Sequence, residues 1–356
     1  MEKGKSRILF SIRIAAVVAI ATFLFVYVDG IQIISAHKKA QTELAGRTGV
    51  GENRETVTFS TPMPAPLSLP AFTFTPTAAP TPFPAAPTGP DAFVTRVFTN
   101  SQGLSLTYYL YVPYNYSPMQ RYPLVLLLHG GGERYDPAWS AAERKAVLFN
   151  QLYTQVWAPG YSQPYSPRIQ QNWPCFVVIP QLAYGEYWVN TPVGYGSYTQ
   201  PAQPTPWLLM AKQIVDSLQQ EYREIDPGRL YITGLSLGAY GVWDAIERWP
   251  DYFAAAIPIA GAGDPSKAAV LKNLPIWAFQ GTADTVVPPA SSSDMIAAIE
   301  AAGGHPRYTE YPGMGHDEWN YVYGTTGTPQ NTPGVLNWLF SQKKVEAVYI
   351  PPHYAP

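Results

Sequence analysis

From residue 92 onward the apolar residues come in short β-branched or leucine-rich runs, separated by stretches with helical spacing. That pattern predicts a mostly parallel sheet whose strands are buried on both faces. Strands are expected at 93–99 (FVTRVFT) and 104–113 (LSLTYYLYVP), an opening hairpin joined by the turn NSQG. Further strands are expected at 123–130, 175–180, 229–236, 254–261, 274–281 and 307–311, with helices at 140–157, 206–223, 238–249, 290–302 and 333–341. The alternation predicts one α/β domain over 91–345, a doubly wound sheet with helices on both faces. The stretch 158–206, rich in Tyr, Pro and Gln, is long for a simple connection and is expected to include a lid. In such a domain ligands bind at the carboxyl ends of the strands, so chemistry should be sought where the strands end.

The first ninety residues follow other rules. Residues 8–28, ILFSIRIAAVVAIATFLFVYV, are apolar over a helical length and are preceded by Lys3, Lys5 and Arg7. Residues 1–35 are therefore expected to be a signal peptide or a retained N-terminal membrane anchor, with IISA at 33–36 as a cleavage site. Residues 36–90 are expected to be a Pro/Thr/Ala-rich disordered linker, because proline fixes φ and removes amide donors. At about 3.1 Å per residue, the densest part, 61–90, would reach roughly 90 Å. Residues 346–356 are expected to be a C-terminal tail. The location implied is extracytoplasmic, membrane-anchored or secreted, with membrane contact only through the N-terminal segment.

Composition narrows the partners. Charged residues are 13% of the chain against 14% aromatic, and the formal net charge is −2. No run of Lys or Arg downstream of residue 40 could follow a phosphate backbone, so nucleic acid is excluded as an expected partner. The single cysteine, Cys175, can form no intrachain disulfide and opens an apolar strand run, CFVVIP, so it reads as a buried thiol. No cysteine cluster exists to hold zinc.

Four expected strand ends carry unusual residues. Gly234-Leu235-Ser236-Leu237-Gly238 stands between an expected strand and an expected helix, the setting in which G-x-S-x-G presents a nucleophilic serine. A serine hydroxyl needs a histidine base oriented by a carboxylate. Of the five histidines, His37 lies beside the anchor, His353 in the tail, His305 in a turn, and His129 in a glycine loop that it would shape. His316, in YPGMGHDEW after the last strand, is left as the base. Asp284, in FQGTADTVVP, is the expected acid, with Asp264 one strand earlier as its competitor; Asp317 and Glu318 are expected at the rim or behind the histidine. HGGG at 129–132 offers backbone N–H groups for an oxyanion, with Gly131 chosen as one donor and the amide of Leu237 as the other. Trp188 and Trp319 are candidates to stack on a sugar or an aromatic acyl group. This chemistry requires no metal and no cofactor.

Taken together, LLLHGGGER, FVVIPQ, YREIDPGRLYITGLSLGAYGVWDAIERWPDYFAAAIPIAGAGD, PIWAFQGTADTVVP and YTEYPGMGHDEW resemble the bacterial phospholipase/carboxylesterase group of α/β-hydrolases. That group includes predicted peptidases and enzymes similar to feruloyl and acetylxylan esterases. The resemblance runs from about 92 to 342 and implies Ser236 as nucleophile, Asp284 as acid and His316 as base. It implies a serine carboxylic ester hydrolase acting on short-chain or carbohydrate-linked esters, with a small-molecule or polysaccharide ester as substrate. The alternatives are a serine peptidase similar to prolyl oligopeptidase and an inactive cell-wall glycan-binding module. Two positions depart from the group: Gln280 stands where His is common, and Ala239 where a second Gly is common.

Overall fold

A computed structural model describes residues 88–161, 167–191, 193–194, 196–324 and 331–344. The expected export segment, nearly all of the linker and the C-terminal tail lie outside the described residues. Among the described residues no helix is long and apolar enough to cross a membrane.

All eight expected strands form. They are β1 (Val94–Thr99), β2 (Ser105–Tyr111), β3 (Tyr122–Leu128), β4 (Phe176–Gln181), β5 (Ile225–Leu235), β6 (Ala255–Ile259), β7 (Trp277–Gly281) and β8 (Arg307–Tyr311). They build one sheet in the order β1-β2-β4-β3-β5-β6-β7-β8. Strands β3 to β8 run parallel, and β2 runs antiparallel to both of its neighbours, β1 and β4. Strand β5 begins earlier than its apolar run suggests, because Ile225 pairs with Tyr122 ahead of an irregularity in the ladder.

The principal helices are α1 (Ala141–Phe149), α2 (Pro206–Glu221), α3 (Leu237–Arg248), α4 (Ala290–Ala301) and α5 (Val335–Ser341). Alternation along β3 divides the core between the two faces of the sheet. Leu124, Leu126 and Leu128 pack with α2, α3 and α4, whereas Val125 and Leu127 pack with α1 and α5. The single helix expected over 140–157 is two: α1, which opens on a Ser140–Glu143 capping box, and a separate turn Leu152–Gln155. The break is filled by side chains, since Thr154 Oγ1 and Gln155 Nε2 donate to the carbonyls of Leu148 and Phe149.

The stretch expected to include a lid is threaded into the fold. Strand β4 runs through it, and after β4 the chain is held down by Trp188, which is fully buried, and by Tyr198, which stacks on Tyr240 of α3. The positions 162–166, 192 and 195 of that stretch lie outside the described residues.

Candidate active site

Strand β5 ends at Leu235, and α3 begins at Leu237, leaving Ser236 alone on the turn between them. Its backbone has φ 51° and ψ −122°, a strained conformation for a residue with a side chain. The surroundings enforce it. The Ser236 N–H donates to the Ile259 carbonyl at the end of β6 at 2.9 Å. On the other side, a Cβ at Gly238 would lie 2.0 Å from the Leu128 carbonyl oxygen, so α3 sits directly on the end of β3. The first N–H groups of α3 have no carbonyl four residues back within the helix, so that of Leu237 faces the turn with the positive end of the helix dipole.

Three of the expected side chains meet. His316 Nε2 lies 2.8 Å from Ser236 Oγ, and His316 Nδ1 lies 2.7 Å from Asp284 Oδ2. The imidazole is 15% exposed and the Asp284 carboxyl fully buried, so solvent reaches the imidazole but not the carboxyl. The loops carrying them are tied together: Ala283 N–H donates to the Met314 carbonyl, and Gly313 N–H to Thr282 Oγ1. Asp284 accepts four N–H groups. Oδ1 takes those of Val286 and Val287 at 2.8 and 2.9 Å, and Oδ2 takes Gln280 Nε2 at 2.9 Å beside the imidazole. Burial pushes this carboxyl up. The His316 hydrogen bond and charge, with the two backbone donors, outweigh burial and hold it below the usual carboxylate value.

Gln280 is a group that sequence reasoning passed over as a site residue. It is fully buried on β7, and Ser292 Oγ–H donates to its Oε1 at 2.8 Å. Because that oxygen is satisfied by a hydroxyl and the other side faces a carboxylate and the Val287 carbonyl, the amide must point its NH2 at Asp284. A polar residue next to Phe279 in an otherwise apolar strand was the available signal. Glu318, expected at the rim or behind the histidine, lies behind it: it is fully buried, with Oε1 accepting the Gly281 N–H at 3.2 Å and no partner on Oε2 among the described residues. Burial pushes its carboxyl up to about 7; the nearby Asp284 adds to that rise, while His316 and the Gly281 amide oppose it.

The remaining candidates separate. Asp264 does not approach His316: it caps the turn after β6, accepting Ser266 N–H at 3.0 Å and Gln200 N–H at 2.8 Å. His129 shapes the glycine loop as expected, accepting Leu182 N–H on Nε2 and facing the Gly130 carbonyl with Nδ1. Burial takes its imidazole down to about 4, so it stays neutral. The stacking role expected of Trp188 is corrected, because its ring is wholly inside the core and its Nε1–H donates to the His129 carbonyl. It supports the loop that carries Gly131 from below. Trp319 is half-buried and stands edge-on to His316, with centroids 5.4 Å apart at 83°. Cys175 is buried, and burial pushes its thiol up to about 12, which leaves it inert.

The family model described as "Dienelactone hydrolase family" matches residues 176–319, a span that contains Ser236, Asp284 and His316. A solved thermostable esterase is 35% identical, with a TM-score of 0.57 covering 71% of this chain and 64% of that one. Poly(3-hydroxyalkanoate) depolymerase C of Paucimonas lemoignei is 46% identical over 61 residues, which is 17% of this chain and 14% of that protein. A bifunctional acetylxylan esterase/xylanase of Neocallimastix patriciarum is 23% identical over 190 residues, 53% of this chain and 23% of that protein. The chain thus spans under a quarter of the length of these curated relatives. The mostly parallel eight-stranded sheet and these matches agree: the protein has the α/β-hydrolase fold, and its residues 176–319 match the dienelactone hydrolase family model.

Proposed function

We propose that this chain is a serine hydrolase that cleaves carboxylic esters through a covalent acyl-enzyme on Ser236. The observation that carries the reading is the His316 imidazole bridging Ser236 Oγ at 2.8 Å and Asp284 Oδ2 at 2.7 Å. Asp284, kept ionised by its four N–H donors, fixes the tautomer in which Nδ1 carries hydrogen and Nε2 is free to accept. Ser236 Oγ attacks the ester carbonyl as Nε2 takes its proton. The amides of Gly131 and Leu237 receive the oxyanion, and Nε2 returns the proton to the departing alcohol oxygen. Water then repeats the sequence on the acyl-enzyme, releasing the acid and restoring Ser236. Trp319, edge-on to the base, borders the acyl group.

Short-chain or carbohydrate-linked esters are the substrates this reading favours. The esterase likeness at 35% identity and the acetylxylan esterase match support it. In the same reading residues 1–35 export the chain and 36–90 space the domain from the membrane, so substrate is met outside the cytoplasm.

The test is Ser236→Ala. Turnover of a short-chain aryl acetate should fall by at least about 10⁴-fold with the unfolding midpoint preserved, as expected when the nucleophile of a triad is removed. A fluorophosphonate probe should label the native chain and not the variant. Retained turnover in the variant would remove Ser236 from the mechanism. A panel that adds peptide amides separates ester from peptide hydrolysis.

A further inference from the structure

Exposed aromatic rings crowd one edge of the site in a way the ester chemistry leaves unexplained. The chain after β4 is held rigidly: Tyr135 N–H donates to the Leu182 carbonyl, Tyr184 N–H to the Tyr135 carbonyl, and Glu186 N–H to the Ala183 carbonyl. Thr205 Oγ1 fastens the Trp188 carbonyl, and Glu186 accepts the indole N–H of Trp207. On this fixed backbone Tyr184 and Tyr187 remain 49% and 43% exposed. Both rings lie against the Arg134 guanidinium, so they form one patch and not scattered residues, and contiguous apolar patches mark binding surfaces.

This surface is physically continuous with the oxyanion loop. Arg134 donates from Nε to the Gly131 carbonyl at 3.1 Å and from Nη1 to the Glu186 carbonyl at 3.4 Å. Its guanidinium lies 5.2 Å from the Tyr187 ring centroid and 5.9 Å from that of Tyr184. Beyond Tyr187 a cleft of about 410 Å³ opens, bordered by Trp207 and by Asn190 and Gln203, both exposed.

We infer that this cleft is a subsite for a neutral glycan chain carrying the scissile ester, with Tyr187 and Trp207 stacking on sugar faces and Asn190, Gln203 and Glu186 pairing with hydroxyls. The inference rests on the ester-hydrolase reading and says which part of the substrate lies where. Ring faces meet the C–H faces of sugars, and side-chain amides and carboxylates exchange hydrogen bonds with vicinal hydroxyls. An anionic ligand would need cations, and the described residues that line the cleft include an acid, Glu186, but no Lys or Arg. A polyester would match the rings and its carbonyls would accept from the amides, but it offers no donor to the Glu186 carboxylate, whereas sugar hydroxyls do.

The test uses the full-length chain carrying Ser236→Ala, so that bound ester persists, titrated calorimetrically with acetylated xylo-oligosaccharides. Adding Tyr187→Ala should weaken binding about tenfold and Tyr184→Ala less, whereas Tyr187→Trp, which keeps a stacking face, should retain affinity. In the active chain, Tyr187→Ala should lower the ratio of kcat/KM on the acetylated oligosaccharide to that on a small aryl acetate by a similar factor. Oligosaccharide affinity indifferent to Tyr187, or Tyr187-dependent adsorption to a poly(3-hydroxybutyrate) film without glycan binding, would overturn the subsite. If the native chain leaves the aryl acetate untouched, the ester-hydrolase reading itself fails, a result distinct from active turnover with no role for Tyr187.

Discussion

The turn that carries Ser236 and the loop that carries His316 come within 2.8 Å of each other, yet different physics holds each in place. The serine turn is fixed by steric exclusion: Gly238 leaves no room for a side chain against the end of β3, and no ionisable group enters that contact. The histidine loop has a steric seat of its own, since a Cβ at Gly281 would lie 2.3 Å from the Gly315 carbonyl oxygen, but it adds polar contacts around Asp284 and a buried carboxyl, Glu318. The first arrangement should therefore ignore pH, while the second should respond to it.

The largest effect should come from filling the steric contact. In Gly238→Ala the new methyl would fall 2.0 Å from the Leu128 carbonyl oxygen and 2.8 Å from that of His129, backbone atoms with nowhere to go. Thermal unfolding should drop by roughly 10 °C or more, with activity lost alongside. An unchanged midpoint would show that the turn is looser than its geometry implies.

Next in size is the pH response of the histidine loop. In the unfolded chain Glu318 has the ordinary value of 4.5, whereas burial raises it to about 7 in the fold. The native state therefore holds this proton more tightly. The group's contribution is complete below about 4.5 and is lost as pH rises through 7. Between pH 5 and pH 8 it should cost the native protein roughly 2 to 3 kcal/mol, a loss that Glu318→Gln escapes. Denaturant unfolding of both proteins at the two pH values checks this. Glu133 and Glu247, raised by burial in the same direction, affect both proteins alike and cancel in the difference.

Gln280→Leu should act on rate more than on stability. It removes one of the four donors to Asp284 and strands the Val287 carbonyl, so kcat/KM on an aryl acetate should fall about 10- to 100-fold. Gln280→His should recover part of that loss, since a ring N–H can replace the amide. If Gln280→Leu leaves kcat/KM unchanged, the carboxylate needs only three donors.

The same contrast explains what could be read from the sequence. The strands were legible because a buried parallel strand must be apolar along its whole length, and VLLL, FVVI and AAAI are. The serine turn was legible because sterics write themselves as glycines at fixed offsets, here Gly234 and Gly238. The pairing of His316 with Asp284 could be anticipated because so few histidines and strand-end aspartates competed. Polar support was not legible in the same way. Nothing local distinguishes Glu318, buried behind the loop, from its neighbour Asp317, which is exposed. Trp188 was misjudged because a tryptophan in a Tyr- and Pro-rich loop reads as surface, whereas its indole fills the space over Gly241 of α3.

The smallest expected effect tests whether the steric region is as closely fitted as claimed. Ala239 stands where a second glycine is common in the group that the sequence resembles. Here the space is vacated from the opposite side, since a Cβ at Gly261 would lie 2.4 Å from the Ala239 methyl. That Cβ would also lie 2.9 Å from the carbonyl carbon of Ala239, so removing the Ala239 methyl relieves only part of the clash. Ala239→Gly should thus cost only about 1 kcal/mol, from helix propensity and a small void, with activity within about twofold. Gly261→Ala alone should cost more, and adding Ala239→Gly should return at least about 1 kcal/mol of that loss. Additive losses in this double-mutant cycle would mean that the two positions do not share one space. The steric hold on the serine turn would then come from Gly234 and Gly238 against the end of β3, beside the Ser236 N–H bond to Ile259.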